Sequence, residues 1–190
     1  MSRVFLLSAN VVTEPYPVYP LGMAVIAGAL DRVGHTLRQF DFLAADQSEE
    51  ALRAALLDFA PEVVCLSLRN IDNVDSFDGE EGWYLARTRR LTALVRETTK
   101  APLIVGGPAF SIMPEAILDY LGADCGVVGE GERVLVGLLE DWAAGRPLPR
   151  LASEPGAGLS GAEMAAPLLV PELVAFYRER SGMANLQTKR

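Results

Sequence analysis

The sequence predicts an α/β fold, a doubly wound parallel sheet of five strands in the flavodoxin-like order 2-1-3-4-5, with a short C-terminal appendage. Three observations predict it. Short, continuous apolar runs recur along the chain, as at Val63–Leu66, and unbroken runs suit strands buried on both faces of a parallel sheet. Segments with helical spacing of apolar residues separate those runs. Several runs also end abruptly in Gly, Ser, Asn or Arg, and the carboxyl ends of the strands are where an open α/β sheet places its ligand.

Val4–Leu7 is the first strand. The loop after it, Ser8 to Pro20, is long and carries Pro15, Pro17 and Pro20, which restrict its unfolded freedom. Leu21–Val33 is an apolar helix closed by Gly34. Its small residues Gly22, Ala24, Ala27, Gly28 and Ala29 permit close approach to the sheet or to a flat ligand. Thr36–Phe40 is strand two. Ser48 caps the next helix, with Glu49 and Glu50 in its first turn and Leu52, Ala55, Leu56 and Phe59 as its core stripe. Pro61 closes that helix, and strand three then runs into the polar loop 69–82. Trp83–Thr99 is a third helix, whose Arg87, Arg89, Arg90 and Arg96 read as a solvated face. Leu103–Val105 is strand four, Pro114–Leu121 a short helix with Pro in its first turn, and Cys125–Val128 strand five. Val134, Leu135, Leu138, Leu139 and Trp142 stripe the fifth helix.

After Gly145 the character changes. Pro147 and Pro149 begin a linker and 153–161 is rich in Gly and Ser, so residues 1–146 form the domain and 147–190 the appendage. The appendage holds a short helix over Leu168–Tyr177 and a strand over Ser181–Arg190, too little for a core of its own.

With 17 Lys and Arg against 25 Asp and Glu, the formal charge is −8, and the cations form no stripe, which argues against a nucleic-acid partner. No run approaches the ~20 apolar residues of a membrane span. The N-terminus enters a strand at once and shows no signal-peptide cleavage site. Cys65 and Cys125, in or beside buried strands, read as core thiols of a reducing compartment, so a cytoplasmic location is expected. One His and two separated Cys cannot make a zinc site, and His35, after Gly34, reads as a surface turn residue. No P-loop, no G-x-G-x-x-G after strand one and no G-x-S-x-G elbow is present. Strand one ends in Ser8-Ala9-Asn10 and strand three in Ser67-Leu68-Arg69, without the acidic pair and phosphoacceptor Asp of a receiver domain.

Four motifs remain at the strand ends: Tyr19-Pro20-Leu21-Gly22, Ser67-Leu68-Arg69-Asn70-Ile71-Asp72-Asn73, Gly106-Gly107-Pro108-Ala109-Phe110-Ser111 and Gly129-Glu130-Gly131-Glu132. In this order and spacing they resemble the N-terminal cobalamin (B12)-binding domain of B12-dependent radical SAM proteins, over about the first three quarters of the chain. The wider cobalamin-binding fold carries D-x-H-x-x-G, S-x-L and G-G. Here the first becomes Pro17-Val18-Tyr19-Pro20-Leu21-Gly22, so Tyr19 stands where a cobalt-ligating His would be. The second keeps Ser67 but replaces its Leu by Arg69, and the third is Gly106-Gly107. The resemblance implies cobalamin bound base-off with no protein imidazole. It implies that Ser67 and the Gly106-Gly107 backbone meet the nucleotide arm, and that Tyr19, Arg69 and Asn70 lie near the lower corrin face. Leu21, Gly22, Leu68, Asn73, Pro108, Gly129, Glu130 and Gly131 complete the expected cofactor set.

In that family the strand after the linker runs into a three-cysteine motif that holds a 4Fe-4S cluster, which cleaves S-adenosylmethionine. Those thiolates do not occur here, and the resemblance therefore implies that 147–190 are the linker and first elements of a truncated radical SAM barrel, in a piece of a longer enzyme or one half of a split one, with no metal ligand and no catalytic residue of its own. The barrel would act in cis or in trans, on a methyl transfer or carbon-skeleton reaction. The competing readings are a cofactor-free interaction or sensory domain of the same fold, and a nucleotide- or flavin-binding protein.

Overall fold

The computed structural model describes residues 1–71, 84–154 and 164–183. Its centre is built by the period of two that a strand imposes on its side chains. In β1 (Arg3–Ser8), β3 (Val63–Ser67) and β4 (Leu103–Gly106), Phe5, Leu7, Val64, Leu66, Leu103 and Val105 point to one face. Val4, Leu6, Val63, Cys65 and Ile104 point to the other. Both sets are buried, so each strand needs apolar residues at every position, which is why the runs are continuous.

Two helical layers cover these faces. The helices α2 (Glu49–Phe59), α3 (Tyr84–Thr98) and α4 (Pro114–Leu121) contribute Leu52, Leu56, Leu91, Val95, Ile117 and Leu121 to the first core. From α1 (Leu21–Arg32) and α5 (Gly131–Ala143) come Met23, Ala27, Leu30, Leu135 and Leu139 of the second. Ser48 caps α2 by accepting from Ala51 N, and Gly122 ends α4 in the left-handed conformation. The arginines of α3 are held by neighbours: Arg90 on Glu49, Arg96 on Asp124, Arg87 on Gln47 and Arg89 over the Tyr120 ring.

With β2 (Thr36–Asp41) and β5 (Cys125–Val128), the parallel sheet runs β2-β1-β3-β4-β5, the expected order. A sixth strand follows. Leu151–Ser153, inside the stretch expected to be linker, forms β6 and pairs parallel to β5. The three-residue strand lacked the length that makes a run legible, yet Gly126 beside it is shaped for the contact: a Cβ there would stand 2.8 Å from Leu151 Cδ2 and 2.3 Å from Phe110 Cζ.

The appendage also packs on the domain. Residues 164–170 run across α1, where Leu168 N donates to Ala24 O and a Cβ on Gly28 would meet Ala166 O at 1.9 Å. The small residues of α1 thus admit backbone of this same chain. The helix α6 is Pro171–Ser181 and not Leu168–Tyr177, because Pro171 suits its first turn and Gly182 closes it with φ +66°. Ser181 belongs to that helix rather than to a strand, and residues 184–190 of the expected strand lie outside the described residues.

Candidate functional site at the carboxyl rim

Strand β1 pairs with both β2 and β3, so the loops leaving β1 and β3 diverge to opposite faces of the sheet. That divergence is the switch point where an open sheet can accept a ligand. Three register partners end there: Ser8 beside Ser67, and Ser67 beside Gly106. The β3 loop is pinned on both sides, since Leu68 N donates to Gly106 O at 2.8 Å and Ala109 N donates to Leu68 O at 3.2 Å. Gly107 makes this possible. Its φ is +106°, and a Cβ there would stand 2.5 Å from Leu68 O. Gly107 therefore serves the chain's own packing against the Leu68 backbone, whereas a Cβ on Gly106 would make only ordinary contact with Val127.

Leu68, Arg69 and Asn70 do come together, facing the 9–12 segment of the β1 loop and the start of α3 across a cleft of ≈ 10 Å³. That volume holds about one water. Arg69 is exposed and close enough to Tyr177 for its charge to oppose, slightly, the burial that raises that phenol's pKa. Pro108 is exposed beside Gly107. The β4 and β5 loops are tied by Ser111, whose hydroxyl donates to Gly107 O at 3.2 Å and accepts from Gly129 N at 3.0 Å. Gly129 has φ +82° with nothing near the position of a Cβ, and exposed Gly22 is equally open. Glu130 is the N-cap residue of α5, and Gly131 packs on Ile26. Asn73 lies outside the described residues.

Tyr19 and Leu21 face a different neighbour. Tyr19 is 8% exposed, its ring meets Tyr177 edge to face at 5.6 Å, and its hydroxyl accepts from Val170 N at 3.4 Å. Leu21 packs in the same cluster. Burial pushes the Tyr19 phenol up, with the Asp41 charge a smaller cause. The reading of the sequence missed this cluster. Tyr177, only 1% exposed, reaches from α6 and donates to Asp41 Oδ1 at 2.9 Å, and Ala44 N donates to the same oxygen at 2.8 Å. Burial, then the Asp41 charge and hydrogen bond, push the Tyr177 phenol far up, so it stays a donor. An aspartate at the end of β2 was visible in the sequence, but its partner 136 residues away was not.

Burial likewise raises the Asp41 carboxyl, against lowering by its hydrogen-bond donors, and its Oδ2 has no hydrogen-bond partner. A carboxyl raised in the folded state binds its proton more tightly there than in the unfolded chain. Its stabilising contribution is complete below the unfolded pKa and is lost as pH rises through the folded one. Urea melts of the wild type and Asp41→Asn should therefore diverge with pH: the wild type gains on the variant as pH falls from neutral into the carboxylate range. A constant difference across that window would refute the burial account.

The only imidazole in the chain is remote from the rim. His35 Nδ1 accepts from Ser2 N at 3.2 Å at the amino edge of the sheet, the far end of β1 and β2. Burial lowers its pKa. A strand of this length separates it from the rim by about 17 Å at ~3.3 Å per residue. Among the described residues no group of three His, Cys, Asp or Glu side chains can hold a metal, and no helix is long and apolar enough to cross a membrane.

The family model for the B12 binding domain matches residues 7–139. Tryptophan 2-C-methyltransferase of Streptomyces laurentii is 31% identical over 136 residues, which are 71% of this chain and 22% of that protein. Hopanoid C-3 methylase of Methylococcus capsulatus is 33% identical over 126 residues, 65% of this chain and 22% of the relative. The chain thus spans about a fifth of the length of these curated relatives. Among solved structures, the radical S-adenosylmethionine methyltransferase TsrM of Kitasatospora setae, with cobalamin and a 4Fe-4S cluster bound, superposes with a TM-score of 0.68 at 30% identity, covering 76% of this chain and 27% of that one. The cobalamin-dependent radical enzyme OxsB shares the fold over 93% of this chain and 25% of its own, with a TM-score of 0.70 at 16% identity. The match of the family model over most of the chain, on the expected sheet, places it: the chain belongs to the B12-binding domain family.

Proposed function

We propose that this chain binds cobalamin over the carboxyl rim of its sheet, base-off and without a protein imidazole, as the cofactor-binding part of a methyl-transferring radical SAM enzyme. The observation that carries the imidazole-free reading is the placement of His35, fixed on Ser2 at the opposite edge of the sheet. The rim fits the group in chemistry: exposed Arg69, half-buried Asn70, open glycines at 22 and 129, and a buried amide donor on Asn10 with no partner. It does not offer a ready slot for the nucleotide arm. The arm would run along Ser67 and Gly106, since the side of Gly107 where a Cβ would stand is taken by the Leu68 backbone.

Bound cobalamin supplies a cobalt centre able to carry a methyl group. The chain's residues bind and orient it. Arg69 would stand near the lower corrin face, where a guanidinium, having no lone pair to give, would not itself ligate the metal. Asn70, Pro108 and the Gly129-Glu130-Gly131 turn would border the ring. Tyr19 supports this floor by holding Tyr177 and α6 in place. In a protein of the relatives' length, the remaining chain would hold the 4Fe-4S cluster and S-adenosylmethionine, in cis or in trans. Two free, buried cysteines agree with work in a reducing cytoplasm.

Wild type and Arg69→Ala loaded with hydroxocobalamin test the assignment of Arg69. The variant should keep most of its affinity but change its visible spectrum as solvent gains the lower face. Identical spectra and coordination in the two proteins would remove Arg69 from the cobalt's surroundings.

A further inference from the structure

Asn10 has one satisfied end and one that is not. Its Oδ1 accepts from Val12 N at 3.3 Å, a local turn that shapes the exit from β1. That contact also settles which end of the amide is oxygen and which is nitrogen. The nitrogen is buried and makes no hydrogen bond of good geometry; the Tyr177 hydroxyl, which it approaches as a weak donor, is the nearest group of the chain that it addresses. The residue is 7% exposed and lines the cleft that Arg69 and Asn70 face from the β3 loop. Buried donors are satisfied in the great majority of native structures, because leaving one unmade forfeits its hydration with no return. A donor that the chain itself pairs so poorly, on a residue that lines a cleft, is available to an oxygen that enters there.

The chemistry of the entrant follows. An amide NH₂ only donates, so the partner must offer an oxygen lone pair. The buried Asp41 carboxyl shares Tyr177 with this corner, and its own Oδ2 is unpaired, so a further anion is disfavoured there. A neutral carbonyl oxygen suits the site. We propose that Asn10 is a positioning residue whose Nδ2 donates to the carbonyl of one of the amide side chains that fringe a corrin ring, fixing the ring's rotation over the rim. This inference rests on the cobalamin reading above and goes beyond it in naming the residue, the atom and the part of the ligand.

The test is a titration of the 190-residue chain and two variants with hydroxocobalamin and, separately, with diaquacobinamide, which keeps the ring amides but has no nucleotide. Asn10→Ser keeps an oxygen for the Val12 turn and withdraws the donor from the cleft. Asn10→Asp keeps the size and the acceptor and deletes the donor. Thermal melts establish that each is folded. Both variants should bind both ligands about fivefold to tenfold more weakly than wild type. Affinities within about twofold of wild type for both ligands would mean that Nδ2 merely holds a water, and would overturn the proposal. Weakening confined to hydroxocobalamin would overturn it too, by assigning the contact to the nucleotide arm. A wild type that binds neither ligand would instead bring down the cobalamin reading beneath it.

Discussion

Replacing Tyr177 by alanine should cost about 3–5 kcal/mol, the usual range for truncating a fully buried aromatic side chain. The side chain is 1% exposed, packs against Tyr19 and Phe176, and gives its hydroxyl proton to Asp41. Its removal leaves a cavity against Tyr19 and withdraws one of the donors on a buried carboxyl. At roughly 2–4 °C per kcal/mol for a chain of this size, the midpoint of thermal unfolding should fall by about 10 °C. The loss should also appear locally, as rapid proteolytic cutting within residues 164–183, because Tyr177 is the one fully buried side chain of α6. Tyr177→Phe separates the two contributions. It keeps the packing and removes only the hydrogen bond, so about 1–2 kcal/mol should be lost. A Tyr177→Ala protein with an unchanged midpoint and an uncut tail would show that α6 does not belong to the domain.

Gly107→Ala should be nearly as damaging, at about 3 kcal/mol. Two costs combine there: a φ of +106° that an L side chain rarely adopts, and a Cβ placed 2.5 Å from Leu68 O and 3.0 Å from Leu68 N. Backbone cannot yield as a flexible side chain can, so the β3 loop must shift. The rim should therefore lose its shape as well as its stability, and equilibrium urea unfolding should show a lower midpoint with an unchanged slope. Gly22→Ala is the control, since a Cβ there has open space and an ordinary φ. It should be neutral or slightly stabilising, because Ala is the better helix former. Equal stability of Gly107→Ala and wild type would mean that the Leu68 contact is not maintained in solution.

What the sequence made legible is what depends on neighbours along the chain. Buried parallel strands announce themselves as unbroken apolar runs, so β1, β3, β4 and β5 fall where expected, within a residue or so at their ends. The order of the sheet follows from the alternation of strands with helices. The polar ends of β1 and β3 do meet at one rim, as Asn10, Arg69 and Asn70 show. What depends on distant partners was not legible. Strand β6 has three residues, and nothing in Leu-Ala-Ser distinguishes it from the linker around it. Tyr177 looks like any aromatic in a short helix until Asp41 and Tyr19 are seen to receive it. Glycines can be found in a sequence, but not what approaches them: Gly28 admits Ala166 O and Gly107 admits the Leu68 backbone. Asn10 ended strand one in plain view, yet only the geometry separates its satisfied oxygen from its unsatisfied nitrogen.

The most direct test of the central claim is retention of a corrin by the purified chain. Incubated with excess hydroxocobalamin and desalted, the protein should carry about one corrin per chain. After reduction to cobalt(II), its electron paramagnetic resonance spectrum should show no splitting by an axial nitrogen nucleus, since His35 is held at the far edge of the sheet and the nucleotide base is displaced. Protein that emerges free of corrin absorbance would contradict cobalamin binding and favour a cofactor-free or flavin-binding domain of the same fold. Retained corrin with nitrogen splitting would contradict the imidazole-free, base-off rim.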